Sequence, residues 1–256
     1  MKPAYHIVIP ARYASKRLPG KVLLDVAGQP LLQHVWQRAI ESSAESVVIA
    51  TDDQRIVTTA ESFGAQVVLT RTDHHSGSDR IAECADLLGW PDQQLIVNLQ
   101  ADEPQMPATC LEQVAILLDE RADCQVASLY WPISEADEVN NPNVVKVVTD
   151  RHGNALYFSR SPIPYVRGCA DVDAAIATGK RWKRHLGLYA YRLSALRSYA
   201  AVPPTALELA ERLEQLRILE QGGRIAMARA KEFIPAGIDT EEDLQRIREM
   251  IRSNLS

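Results

Sequence analysis

The chain lacks most of the features that would mark it as a secreted, membrane or nucleic-acid-binding protein. Its four cysteines, Cys84, Cys110, Cys124 and Cys169, are never closer than 14 residues and form no C-x-x-C pair. Cys84 and Cys110 fall in amphipathic helical patterns, so buried structural thiols are expected. There is no basic surplus: 28 Lys and Arg against 33 Asp and Glu leave a net charge of -5, unlike a domain that grips many phosphates of a nucleic-acid backbone. Long hydrophobic runs are missing. Met1-Lys2-Pro3-Ala4-Tyr5 leads into an apolar run that Arg12 interrupts, too short for a signal core or a membrane span. A cytoplasmic protein with no nucleic-acid and no membrane partner is the expectation. Neither standard phosphate loop occurs: there is no G-x-G-x-x-G, and Gly20-Lys21-Val22 lacks the Ser/Thr and upstream Gly of a P-loop. Internal repeats and low-complexity tracts are absent as well.

What is present is an ordinary core-forming composition, 46% hydrophobic and 24% charged over 256 residues, enough for one large α/β domain. Tyr5-His6-Ile7-Val8-Ile9 reads as a buried strand that Pro10 stops by removing a ladder donor. The loop behind it reverses the sign of the chain. Arg12, Lys16, Arg17 and Lys21 fall within ten residues that contain no acid, which asks for an anionic ligand. Loops at the carboxyl end of the first strand of an open α/β sheet are where ligands bind, and Pro19-Gly20 lets backbone approach a phosphate closely.

Further along, Pro30 starts a helix whose core face is Leu31, Leu32, Val35, Trp36 and Ala39. Strands 46–51, 66–70 and 95–99 alternate with helices around Ile56-Val57-Ala60 and Ile81-Cys84-Ala85-Leu88. Near-continuous apolar strands alternating with helices indicate a parallel sheet covered on both faces. The rhythm then changes: residues 143–149 and 155–158, joined by Asp150-Arg151-His152-Gly153, read as an antiparallel hairpin, and 161–180 shows no clear periodicity. Residues 185–191 form a strand, and Leu207, Leu209, Leu213, Leu216 and Leu219 mark one helix ended by Gly222-Gly223. We expect a single domain over 1–256 with an inserted antiparallel subdomain at about 130–200.

Asp102 follows a buried strand directly, so its carboxylate shares the sheet edge with the cationic loop. Beside a polyphosphate it would be repelled, two unit charges about 4 Å apart costing roughly 4 kcal/mol at an effective dielectric near 20. Mg²⁺, held by few protein carboxylates with phosphates completing the shell, removes the conflict. Asp239, just before Thr240, reads by spacing first as a helix-capping residue. Asp52 and Asp53 need only a helix-start role, and spacing alone assigns no function to Arg160, His185 or Glu214-Gln215.

The segments Ile9-Pro10-Ala11-Arg12-Tyr13-Ala14-Ser15, Arg17-Leu18-Pro19-Gly20-Lys21, Ala50-Thr51-Asp52-Asp53, Ser76-Gly77-Ser78-Asp79-Arg80 and Gln100-Ala101-Asp102-Glu103-Pro104 resemble the 3-deoxy-manno-octulosonate cytidylyltransferases, the CMP-KDO synthetases. So do Asn141-Pro142-Asn143, Ala155 to Arg160, Arg184 to Tyr189, Leu213 to Arg217 and Gly237-Ile238-Asp239-Thr240, an ordered set spanning essentially the whole chain. The resemblance implies a three-layer α/β/α, GT-A-like nucleotidyltransferase fold with a mostly parallel sheet. It implies CTP plus KDO giving CMP-KDO and pyrophosphate for lipopolysaccharide biosynthesis, Mg²⁺ as cofactor, and a homodimer. Carried over by position, Arg12, Arg17 and Lys21 hold the CTP phosphates, with Ala11, Arg80 and Gln100 near the nucleotide. Lys21, Arg17, Asp102 and Asp239 form the catalytic set, Asp102 and Asp239 hold metal, and Arg160, His185, Tyr189, Glu214 and Gln215 line the sugar-acid pocket.

Two positions depart from the family pattern: Ala101, where Gly is more usual, and Ser78, where Thr is more usual. A methyl beside Asp102 is expected to crowd the backbone near metal and sugar. The competing readings are a cytidylyltransferase for an amino-substituted KDO or a sialic acid, and a non-catalytic CTP-binding module.

Overall fold

The computed structural model describes residues 2–14, 18–74 and 76–254. In chain order the elements are β1 (Tyr5–Ala11), the two-residue strands β2 (Asp25–Val26) and β3 (Gln29–Pro30), α1 (Leu31–Ile40), β4 (Ser46–Thr51), α2 (Gln54–Ser62), β5 (Gln66–Leu69), α3 (Gly77–Leu87), β6 (Leu95–Asn98), α4 (Ala108–Glu120) and β7 (Val126–Ile133). Then come α5 (Ala136–Asn140), β8 (Lys146–Thr149), β9 (Ala155–Ser159), α6 (Val172–Ala177), β10 (Trp182–Arg192), α7 (Leu193–Ala200), α8 (Ala206–Glu211), α9 (Leu216–Glu220), β11 (Ile225–Arg229) and α10 (Glu241–Asn254).

The main sheet runs β11-β7-β10-β6-β1-β4-β5, with β8 and β9 attached beside β10. β1 is parallel to β4 and β6, β4 to β5, and β11 to β7, while β10 runs antiparallel to both neighbours. Side chains alternate across β1: Tyr5, Ile7 and Ile9 join one apolar layer with Leu32, Val35 and Val114, whereas Val8 joins another with Ile81, Cys84 and Leu196. Helices on both faces of a mostly parallel sheet make the three-layer α/β/α fold. Local chemistry sets the helix starts. Asp53 caps α2 through the Arg55 amide (2.9 Å), Ser76 and Asp79 form a capping box at α3, and Thr240 and Asp243 do the same before α10.

Four expectations need correction. β1 does not stop at Pro10 but continues to Ala11, in register with Thr51 of β4. The Val8 carbonyl accepts from Leu99, so Pro10, two residues on, turns its donorless nitrogen to that same side, where pairing with β6 has already ended at Val8. The hairpin strand begins at Lys146 rather than 143, and the segment read as aperiodic contains α6, capped by Asp171. The leucines from 207 to 219 do not share one helix. Arg212, at φ 53°, breaks it into α8 and α9. Arg217 reaches back to Glu208 with two bonds of 2.6 and 2.8 Å, which folds α9 against α8. This turn buries Leu213, Leu216 and Ile218 in the sheet-facing layer and leaves Leu209 64% exposed. Strand β7 and helix α7 carry apolar patterns that the sequence reading passed over. Cys84, Cys110 and Cys124 are buried free thiols, as expected. No helix among the described residues is long and apolar enough to cross a membrane.

Candidate active site

At the carboxyl ends of β1 and β6 the fold opens into two adjoining cavities, of about 250 and about 190 Å³. Asn98, Gln100 and Glu214 line both and form the seam between them.

The larger cavity is ionic. Arg12, Lys21, Arg80 and Asp102 line it, together with Pro10 at the end of β1 and Gly77 in the first turn of α3. Gly20, at φ 68°, takes the left-handed turn that starts a 3₁₀ turn at Lys21–Leu23. That turn buries the Lys21 stem and aims its ammonium at two carboxylates: Asp102 Oδ2 at 2.6 Å and Asp239 Oδ1 at 3.2 Å. The Ile238 amide donates to the Asp102 carbonyl (2.9 Å) and carries Asp239 in beside it. Gly237 permits this approach, since a Cβ there would stand 3.0 Å from that carbonyl oxygen. Asp239 thus shares the Lys21 ammonium with Asp102, while the capping of α10 falls to Thr240 and Asp243.

Two carboxylates on one ammonium, edged by Arg12, form a donor set of hard oxygens that fits Mg²⁺, an ion bound by one or two carboxylates plus substrate phosphates. Among the described residues no cluster of three or more His, Cys, Asp or Glu side chains offers a fuller protein cage. Glu103 adds little negative charge here, because burial and the neighbouring Asp102 push its pKa up to about 8.

Arg80 lines this cavity but is 2% exposed and tied down, donating to Asp52 Oδ2 (2.6 Å) and Thr70 Oγ1 (2.5 Å). Asp52 thus does more than begin a helix. Ala11 is buried in the apolar layer at the end of β1. Arg17 lies outside the described residues. At Ala101 no strain appears: the positive-φ residues other than glycine, among those described, are Ala27 and Arg212, and the Ala101 methyl is buried in the main apolar layer.

The smaller cavity is walled mostly by uncharged hydrogen-bonding and apolar groups, with Asp79 and Arg217 also in its lining. His185, Tyr189 and Tyr191 come from β10, Glu214 and Gln215 from the turn after α8, and Ser78 from α3. Burial takes the His185 pKa down to about 3, so the imidazole is neutral; its Nε2 lies 3.1 Å from Ser128 Oγ and Phe158 packs edge-on at 4.9 Å. Burial raises the Tyr189 and Tyr191 hydroxyls well above the usual phenol range. It also lifts the Glu214 carboxyl, with Ser78 and Ser76 pulling the other way. Arg160 stands apart. Its guanidinium donates to the carbonyls of Glu211 (2.7 Å), Pro142 (2.9 Å) and Arg212 (3.5 Å), and the linings of the two cavities are completed by other residues.

Sequence reasoning missed Asn98 and Tyr191. A signal existed for both: a polar residue closing the run Leu95-Ile96-Val97, and a second tyrosine two positions after Tyr189, hence on the same strand face.

Comparison with known proteins accords with this geometry. The family described as Cytidylyltransferase matches residues 6–229. A 3-deoxy-manno-octulosonate cytidylyltransferase of Thioalkalivibrio sulfidiphilus is 50% identical over 250 residues, covering 98% of this chain and 100% of that protein. One of Coxiella burnetii is 51% identical over 245 residues, covering 95% and 98%. A solved CMP:2-keto-3-deoxy-manno-octonic acid synthetase complexed with CTP superposes with a TM-score of 0.89 at 38% identity, over 98% of this chain and 100% of that one.

Proposed function

The chain belongs to the 3-deoxy-manno-octulosonate cytidylyltransferase family of nucleotidyltransferases, and from that premise we propose that it transfers the cytidylyl group of CTP to KDO, releasing pyrophosphate. The observation that carries this reading is the cleft itself: a cavity lined by Arg12, Lys21, Arg80 and Asp102, with Asp239 bonded to the same Lys21, that joins, at Asn98, Gln100 and Glu214, a cavity lined mostly by uncharged hydrogen-bonding groups. The first suits a polyphosphate and the second a polyhydroxylated ligand.

In this mechanism Arg12 and Lys21 grip the phosphates, with Arg17 joining them by family position. The anomeric hydroxyl oxygen of KDO attacks the α-phosphorus in line. The new O–P bond forms as the bond to the bridging oxygen breaks, pyrophosphate departs with that electron pair, and the hydroxyl proton passes to solvent. Asp102 and Asp239 would hold Mg²⁺, which supplies charge neutralisation for the phosphates and acidifies the attacking hydroxyl. Lys21 offsets the charge that builds on the departing pyrophosphate, and the cleft walls fix the two reactants for attack. His185, neutral at physiological pH, contributes hydrogen bonding rather than a charge. By family position Arg160 serves the sugar carboxylate, for which its planar fork is a bidentate match, and to do so it has to leave the backbone carbonyls of Glu211, Pro142 and Arg212 and reach the cleft. The reading also makes the protein a cytoplasmic homodimer supplying lipopolysaccharide assembly.

The test is pyrophosphate release with CTP and Mg²⁺ across KDO, an amino-substituted KDO and a sialic acid. KDO is expected to give the highest kcat/KM. A higher value for another acid overturns the substrate, and no release with any acid favours a non-catalytic CTP-binding module.

A further inference from the structure

Asn98 closes β6 at the seam, touches both cavities, and is 4% exposed. Its amide meets the Tyr191 hydroxyl, which Ser78 also reaches. Its Oδ1 nevertheless has no hydrogen-bond partner. A buried acceptor left unpaired destabilises the folded state. Across the smaller cavity Gln215, 6% exposed, presents the complementary orphan: its Nε2 donor is buried without a partner. An unused acceptor and an unused donor on two residues that line one cavity match hydroxyl groups, which both donate and accept.

The position narrows the ligand further. An ionised triphosphate carries no donor, so on the nucleotide only the ribose hydroxyls and the base amino group match a carbonyl oxygen. Asn98 is the register partner of Tyr189 across β6 and β10, which sets it beside the tyrosine wall of the smaller cavity as well as at the seam. We propose that Asn98 is a positioning and specificity residue for the polyhydroxylated acid, its Oδ1 accepting from a substrate hydroxyl where acid and nucleotide meet. This rests on the cytidylyltransferase reading above. The orphaned oxygen is then a stability cost that substrate binding relieves, and the amide holds the acid at the height of the α-phosphorus.

Asn98→Leu, close in volume and unable to hydrogen-bond, separates this role from a structural one. The measurements are the Tm of the full-length protein and KM for each substrate in the pyrophosphate-release assay. The expected result is a Tm equal to or above that of the wild type, KM for KDO raised about tenfold, and KM for CTP within about twofold. An unchanged KM for KDO overturns the proposal. So does a lowered Tm with both KM values moved, or loss of folding, since either makes the amide a structural partner of Tyr191. A rise confined to CTP assigns the amide to the nucleotide and also overturns it. Asn98→Ser, which leaves room for a bridging water, is expected to shift KM for KDO in the same direction by less; equal or larger disruption counts against the assignment. Failure of the wild-type protein to turn over CTP with KDO removes the cytidylyltransferase reading, and this inference with it, whereas an active wild type with an indifferent Asn98→Leu removes the inference alone.

Discussion

The two halves of the cleft handle charge in opposite ways. The half at the ends of β1 and β6 collects it: Lys21 stands within ion-pairing distance of both Asp102 and Asp239, with Arg12 at the rim. The half built on β10 holds less of it, confined to Asp79 and to Arg217, which Glu208 pairs. Burial moves His185 down and Tyr189, Tyr191 and Glu214 up, each toward its uncharged form. The difference follows from the scaffold. Parallel strands end in loops, where long charged side chains keep partial access to water, whereas the antiparallel β10 runs through the sheet with its tyrosines packed beneath α7 and α9. A transfer between a polyanion and a polyhydroxylated acid needs both environments side by side.

The sharpest way to break this comparison is to remove charge from the ionic half. Asp102→Asn keeps the shape of the side chain and its contact with Lys21 while halving the carboxylate pair. Turnover is expected to fall by about three powers of ten, with the thermal midpoint nearly unchanged because Asp239 still pairs Lys21. Steady-state pyrophosphate release and a melting curve check the two halves of that statement. Turnover near the wild-type value would remove the metal-holding role.

A cation can lie in the ionic half and still be structural, and Arg80 is the case in point. Asp52→Ala leaves its 2% exposed guanidinium with Thr70 as its remaining side-chain acceptor and is expected to cost about 3 kcal/mol of stability. Urea denaturation measures it. Unchanged stability with a lowered KM for CTP would instead show that Asp52 restrains a nucleotide-binding arginine.

Much of this division was legible in the chain. The cationic loop 12–21 and the strand-end Asp102 announced the ionic half, because charge reversals and polar residues behind apolar strands are local signals. Asp239 was ambiguous, since its spacing fits a cap equally well; the Ile238 contact with Asp102, more than 130 residues away in sequence, settles its place. The neutral half was harder to read. Glu214 and Gln215 sit on a turn created by the positive φ of Arg212 and the pairing of Arg217 with Glu208, a tertiary tie that overrode a regular leucine spacing. The family resemblance named His185 and Tyr189, but nothing local shows that burial keeps the imidazole neutral.

His185 gives that neutrality a pH signature. Its folded pKa, about 3, lies below the ordinary value of 6.5, so between those limits the unfolded chain binds the extra proton. Stability is therefore complete above pH 6.5 and falls as pH is lowered toward 3. This residue adds at most about 1.4 kcal/mol per pH unit to the slope. Urea midpoints between pH 7 and 4.5 for the wild type and His185→Gln are expected to diverge on acidification, the variant showing the shallower slope. Parallel slopes would mean that the imidazole is protonated in the folded state and that the neutral half is less neutral than its burial indicates.

The smallest effect is expected where sequence comparison raised the most concern. Ala101 lines the ionic half, directly before Asp102, at a position where the family more often has Gly. A methyl that crowded the carboxylate would need a strained backbone or a clash, yet Ala101 is not among the positive-φ residues and its side chain packs in the main apolar layer. Ala101→Gly then removes apolar contact and loosens the unfolded chain, for a stability loss of about 0.5–1 kcal/mol. Turnover is expected to stay within about threefold, because Lys21, Asp102 and Asp239 are placed by the Gly20 turn and the Ile238 contact rather than by this side chain. A rise in kcat of tenfold or more on that substitution would show that the methyl does hold Asp102 away from its working position, and would make Ala101 a hinge between the two environments.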